Sequence, residues 1–373
     1  RWIFGEDRGF QGRKRCYTGR VLATSMENRA MLKSLLASLL LLLGGAASAA
    51  DQTLVVYNWA EYLPKKVLQQ FTQETGIKVR YSTYDSNEAM YAKVKTVKGE
   101  GYDVLAPSTY YVDRLRREGL LQKIDKSRLS HFGNLNLRLL NQPYDPNNDY
   151  SNPYLWGTTG IAYNAAKLPP GQLTRWADLW NPAYKNRLLL LNDMREVFSM
   201  GLKLLGHSIN TTDENQIRAA YEKLVELMPN VRIFDAESPK TKFLSQEVTA
   251  GMLWNGEAYM ASRENANIKY VYPQEGAMMW MDNLVISAGA KNVDGAHQFI
   301  DFVLRPDIAK QISEEVGYSS PNLAAIKLLP EKVRNNPTVY PSDENLRNAE
   351  FQTDVGEALP IYDRYWQRLK TRG

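Results

Sequence analysis

Residues 53–106 alternate apolar runs rich in Val and Tyr with amphipathic segments, and few folds accept that rhythm. Residues 53–58 read as a strand. Pro64 then opens a helix that carries Val67, Leu68 and Phe71 on one face and stops at Gly76. Residues 78–82 read as a second strand, 87–98 as a second helix and 102–106 as a third strand, broken by Pro107-Ser108. A βαβαβ series implies a parallel sheet with helices on its faces. After an Asn-, Asp- and Pro-rich loop at 141–153, residues 156–164 read as a strand that leaves the first domain. A second α/β segment follows. Its clearest helix starts at Thr211, where Thr211-Thr212-Asp213-Glu214 fits a capping box and Ile217, Ala220, Tyr221, Leu224 and Leu227 form an apolar face. Further strands are expected at 187–191, 231–234, 251–254, 268–272 and 283–288, and a last helix at 354–370. With 373 residues, two domains have room for their own cores.

Residues 31–49 have the layout of a secretory signal peptide. Arg29 and Lys33 supply the positive region, Leu35 to Leu43 the apolar core and Ala47-Ser48-Ala49 a small-residue cleavage site. The apolar run is too short for a membrane anchor, which takes about 20 residues. Residues 1–30, basic and without periodicity, are expected to lie outside the fold as an upstream extension. Residues 1–49 hold eight of the 46 Lys and Arg and three of the 41 Asp and Glu, so the remainder carries 38 of each. That neutral balance leaves no basic field for nucleic acid. The one cysteine, Cys16, lies in the same leader. A cysteine-free body suits an oxidising compartment and excludes thiol catalysis, disulfides and Cys-based metal sites.

Three tryptophans are each followed within three residues by a carboxylate, at or near the ends of expected strands: Trp59 with Glu61, Trp254 with Glu257, and Trp280 with Asp282. Strand ends are where open α/β sheets hold ligands. A tryptophan face attracts a cation through its ring quadrupole, and a carboxylate pairs with the same cation by charge. Asp193 and Glu196, after the strand at 187–191, read two ways. They fit a helix cap, and they also form a pair of acids three residues apart whose repulsion a cation would relieve. His131, His207 and His297 lack ligand spacing, so neither a metal nor a cofactor is expected. No nucleophile elbow, phosphate loop or dinucleotide fingerprint is present. Carboxylates flanked by aromatic rings also suit a secreted carbohydrate-active enzyme or glycan binder, which is the alternative reading.

Taken together, these segments resemble the periplasmic spermidine/putrescine-binding proteins of polyamine ABC transporters. The resemblance rests on Tyr57-Asn58-Trp59 with Glu61-Tyr62, Tyr81-Ser82-Thr83-Tyr84 with Ser86-Asn87-Glu88, and Pro107-Ser108-Thr109-Tyr110-Tyr111. It continues through Asp193-Met194-Arg195-Glu196, Gly251-Met252-Leu253-Trp254-Asn255-Gly256, Trp280-Met281-Asp282 and Gly317-Tyr318. It implies a two-lobed α/β periplasmic-binding-protein fold (type II) with the ligand cleft between lobes joined by crossover segments. The N-terminal lobe would hold 51–157 plus 281–326, and the C-terminal lobe 158–280 plus 327–373. The family's acidic contacts fall on Glu61, Asp193, Glu196 and Asp282. Its aromatic walls fall on Trp59, Tyr62, Trp254, Trp280 and Tyr318, and its polar contacts on Ser108, Tyr110 and Gln352. Glu257 lies outside that pattern and is read as a surface acid. Position 60 is alanine, where spermidine-preferring relatives can place a hydroxyl.

The resemblance further implies a monomeric, non-enzymatic periplasmic protein that delivers polyamine to an inner-membrane ABC permease. Spermidine has seven methylenes, whose burial contributes about 5–6 kcal/mol at ~0.8 each. Putrescine has four methylenes and one charge fewer. It would forgo about 2–3 kcal/mol of burial and leave a carboxylate unpaired. Spermidine is therefore expected to bind about ten- to a hundredfold more tightly.

Overall fold

The computed structural model describes residues 53–371, so the upstream and signal-peptide readings lie outside the described residues. From Thr53 the elements run β1 (Thr53–Trp59), α1 (Lys65–Thr75), β2 (Lys78–Tyr84), α2 (Asn87–Thr96), β3 (Val104–Leu105), α3 (Thr109–Arg117) and β4 (Leu121–Gln122). The long strand β5 (Asn152–Asn164) follows, then β6 (Leu188–Leu190), α4 (Met194–Leu204), α5 (Glu214–Leu227) and β7 (Val231–Phe234). Next come α6 (Pro239–Leu244), β8 (Ala250–Trp254), α7 (Asn255–Glu264) and β9 (Ile268–Val271). A second long strand, β10 (Met278–Ser287), leads into α8 (Val293–Val303), α9 (Pro306–Val316), α10 (Leu323–Leu328), α11 (Glu331–Arg334), β11 (Glu350–Phe351) and α12 (Leu359–Lys370).

The expected βαβαβ unit is present. β1 pairs in parallel with β2 over seven residues and with β3 on its other side. α1 starts after Pro64 and ends at Gly76, whose φ of 75° suits glycine. The second half repeats the arrangement: β6 pairs in parallel with both β7 and β8. β5 and β10 join the halves. β10 pairs with β3 and β4 through Val285–Ser287 and with β11 through Met278–Met279. Between these ends it runs antiparallel to β5, which goes on to pair with β8 and β9. The strand order is β2-β1-β3-β10-β5-β8-β6-β7.

Three sequence expectations change here. Trp280 and Asp282 do not follow a strand; they lie inside β10, which the sequence reading began only at residue 283. The ladder shifts register between Asp282 and Asn283, opposite Pro153, and a proline has no N–H to offer at that point. The extra residue, Tyr154, lies on β5, and Asp282 of β10 forms an isolated bridge with Ser108 on its other side. The helix expected from Thr211 starts at Glu214. Its cap is Asp213, whose carboxylate accepts from the Asn215 N–H at 2.8 Å, while Thr211 Oγ1 accepts from the Asp213 N–H one step earlier. The terminal helix likewise begins at Leu359, after a short 3₁₀ turn, rather than at 354.

One apolar core lies between the β1–β3–β10 strands and helices α1, α8 and α9, with Phe71 edge-on to Phe299 at 5.2 Å. The other packs α4, α5 and α12 against β6 and β8 and runs on to the face of the first sheet covered by α2 and α3, with Trp176, Phe198 and Tyr362 fully buried in it. Asp103, buried beside β3, ties the first sheet to the start of α8. Its carboxylate accepts from the N–H groups of Val55 (2.7 Å), Lys291 (2.8 Å) and Asn292 (2.9 Å). Asp103→Ala would orphan these donors and is expected to lower the unfolding free energy by about 3 kcal/mol in urea titration. A loss under 1 kcal/mol would show that water replaces the carboxylate.

Candidate ligand-binding cleft

The parallel strands of both halves run toward one place. β1 ends at Trp59, β3 leads to Ser108, β6 leads to Asp193 and β8 ends at Trp254. Residues from all four ends line a single cavity of about 510 Å³, together with Trp280 and Asp282 from β10. Tyr62, Tyr110, Glu196, Tyr318 and Gln352 complete what the sequence reading placed there. Glu61 does not line the cavity. It sits in the turn after β1 with φ 50°, and its carboxylate pairs with Lys240 at 2.6 Å.

The walls are aromatic and set edge to face. Trp59 meets Trp254 at 6.1 Å and 71°, Tyr62 meets Tyr318 at 5.1 Å and 70°, and Trp280 meets Tyr318 at 5.3 Å and 66°. Two glycines let these rings come in close. A Cβ on Gly157 would lie 2.7 Å from the Trp280 ring, and one on Gly256 would collide with the Tyr318 ring. Indole N–H groups are held by the frame: Trp59 donates to the Ala106 carbonyl (3.0 Å) and Trp280 to Thr159 Oγ1 (3.0 Å).

Among the described residues, five carboxylates line the cavity, and no lysine or arginine does. Asp193, Glu196, Glu257 and Asp282 are each 3–4% exposed. Asp282 accepts from Tyr62 Oη at 2.7 Å and Ser108 Oγ at 2.5 Å. Asn87, at the start of α2, holds this arrangement: its Nδ2 donates to Ser108 Oγ and Tyr110 Oη, both at 3.0 Å. Asp193 caps α4 by accepting from the Glu196 N–H at 3.1 Å, and both Asp193 and Glu196 line the cavity. Glu196 Oε1 accepts from Trp254 Nε1 at 3.3 Å, while its Oε2 is buried without a partner, as is Nε2 of the Gln352 amide. Arg195 points away. Its guanidinium bonds the Thr353 and Ile209 carbonyls and lies 5.0 Å from the Tyr110 ring.

Glu257 corrects the sequence reading. It is not a surface acid: it is buried in the first turn of α7 and lines the cavity, with Oε2 accepting from the Lys240 N–H at 3.3 Å. Asn87 was also missed. Glu257 follows Trp254 by one helical turn, which is the signal that could have kept it.

Burial raises all four acids. Asp282 is pushed up to about 7 by desolvation, against the hydrogen bonds from Ser108 and Tyr62. Glu257 reaches about 7 through desolvation and then the nearby Glu61 charge. Glu196 reaches about 8 through desolvation and then Asp193. Asp193 is raised by desolvation as well. These acids therefore bind protons at pH values where free carboxylates are ionised.

Buried acids, a box of rings and two strand-end arrays joined by long crossover strands define a two-lobed α/β protein with an anionic, aromatic cleft. The chain matches the family described as bacterial extracellular solute-binding protein over residues 66–341. The spermidine/putrescine-binding periplasmic protein of Escherichia coli K12 is 54% identical over 340 residues, 91% of this chain and 98% of that one. A solved Listeria monocytogenes structure described as a spermidine/putrescine ABC transporter superposes with a TM-score of 0.83 at 37% identity, covering 86% of this chain and all of that one. The substrate-binding protein PotD of a spermidine/putrescine ABC transporter from Streptococcus pneumoniae gives 0.71 at 39% identity, over 86% of this chain and 99% of that one. The chain belongs to the bacterial extracellular solute-binding proteins. The carbohydrate-active alternative finds no support among these relatives.

The raised acids fix a sign for the pH dependence of the empty protein. Free Asp and Glu titrate near 3.9 and 4.3. Between those values and about 7–8, the folded state holds protons that the unfolded chain has shed, so stability falls as pH rises. The urea midpoint of ligand-free protein is expected to drop between pH 5 and pH 8, and Glu196→Gln should flatten the slope. A midpoint that rises across that window would contradict the burial of these groups.

Proposed function

We propose that this protein captures spermidine, and putrescine more weakly, in the periplasm and delivers it to an ABC permease. It acts as a monomer and catalyses no reaction. The observation that carries this reading is the set of four buried carboxylates in an aromatic cavity lined by no basic residue. Buried anions need partners; Arg195 and Lys240 offset their charge only in part, since the acids remain raised, and a cationic ligand would supply the rest.

In this reading the ammonium groups sit at three stations. Asp193 with Glu196 forms one, Asp282 another and Glu257 the third. The orphaned Glu196 Oε2 and the unpaired end of the Gln352 amide are open to the ligand. Trp59, Trp254, Trp280, Tyr62 and Tyr318 cover the methylenes, where cation–π contacts add roughly 0.5–2 kcal/mol apiece. Ser108 and Tyr110 hold the acids in place, and Glu61 guards the rim. Ala60 offers only a methyl group to the cleft. The lobes, 51–157 plus 281–326 and 158–280 plus 327–373, close around the ligand because it binds the closed state more tightly. The relatives' descriptions support the substrate class and the transport role.

Calorimetric titration of the leaderless protein tests this. Spermidine is expected to bind at micromolar concentration or tighter, and putrescine about ten- to a hundredfold more weakly. Asp282→Asn should weaken spermidine about 30- to 1,000-fold. Its ligand-free melting temperature should stay unchanged or rise, because the amide removes a buried ionisable group while keeping contact with Tyr62 and Ser108. Undiminished binding by this variant would place the site elsewhere.

A further inference from the structure

We infer that Lys240 closes one end of the cleft and sets the longest polyamine it accepts, a role that rests on the polyamine reading above. Lys240 comes from α6 and meets Glu61, 179 residues earlier in the turn after β1, with Nζ to Oε2 at 2.6 Å. The lysine side chain is 14% exposed against 41% for Glu61, so the cation lies inward and the carboxylate outward. Its Nζ also lies 3.9 Å from Met260 Sδ. Its own N–H donates to Glu257 Oε2 at 3.3 Å, which fixes the lysine next to the third anionic station. The Lys240 ammonium stays charged: burial pulls its pKa down, but the bond to Glu61 and the field of Glu257 raise it above the usual lysine value.

The cleft has a direction. Tyr62 donates to Asp282 and packs edge-on against Tyr318, and the Tyr318 ring in turn sits on Gly256, next to Glu257. Asp282 and Glu257 thus both adjoin Tyr318, and Lys240, behind Glu257 rather than in the cavity wall, stands at that end. A triamine places one ammonium at each of three stations and stops there. A tetra-amine with one more aminopropyl arm (spermine) would carry its fourth ammonium up against Lys240, where like charges repel in a partly buried site. The lysine occupies, as part of the chain, the place a further ligand ammonium would take beside Glu61.

The test is calorimetric titration of wild type, Lys240→Met, Lys240→Gln and Lys240→Arg with spermidine and spermine. Wild type and Lys240→Arg are expected to bind spermine at least about tenfold more weakly than spermidine. In Lys240→Met and Lys240→Gln the two affinities should come within about threefold of each other. Both uncharged variants keeping the wild-type ratio would overturn the role of Lys240, as would a wild type indifferent to chain length. Wild type that binds no spermidine at all would instead overturn the polyamine reading.

Discussion

Everything about the cleft follows from the cost of burying carboxylates. Asp193, Glu196, Glu257 and Asp282 are withdrawn from water, and the residues lining their cavity include no positive side chain. An ionised carboxylate in such a place costs several kcal/mol unless something pairs with it. The protein lowers that cost with protons, with the fields of Arg195 on Asp193 and Glu196 and of Lys240 on Glu257, and with neutral donors: Tyr62 and Ser108 on Asp282, Trp254 on Glu196, the Lys240 N–H on Glu257. The neutral donors do not cancel a charge as an ammonium does. The site is therefore poised, and a flexible polyamine supplies several charges on one chain together with methylenes that suit the rings.

The fold is what makes this arrangement affordable. Parallel strands deliver side chains at their C-terminal ends, and the two halves present those ends to one cavity. β5 and β10 hold both halves in a shared ladder, so a cleft forms without a separate linker. Near the register shift in the β5–β10 ladder, β10 carries Asp282 into the cavity wall beside Ser108. Glycines at 157 and 256 then admit Trp280 and Tyr318.

Much of this was legible in the sequence because it is local. The βαβαβ series, the strand at 231–234 and the helix after Pro64 depend on nearby residues, and they lie where the patterning put them. The Trp59 and Trp254 strand ends were legible for the same reason. Asp193 and Glu196 were visible as a pair, and the cap they form turned out to be the means by which they are aimed into the cavity. What stayed hidden depends on distant partners. Glu257 is buried by its surroundings near Tyr318 and Lys240, not by its own helix pattern. Asn87 looks like the first residue of a helix until Ser108 arrives 21 residues later. Glu61 finds Lys240 across 179 residues, a pairing no spacing rule could supply. The start of β10 was missed because Met278 to Met281 carries no β-branched residue to mark it.

The central claim is that the ligand's charges replace protons held by buried acids, and proton release on binding measures that directly. Acids near 7, 7 and 8 hold between about one and two protons at pH 7, whereas spermidine is already protonated. Calorimetric titration with spermidine at pH 7, in buffers of different ionisation enthalpy, should therefore show between about one and two protons leaving per ligand bound. A binding enthalpy that does not depend on the buffer, or that shows proton uptake, would contradict the account.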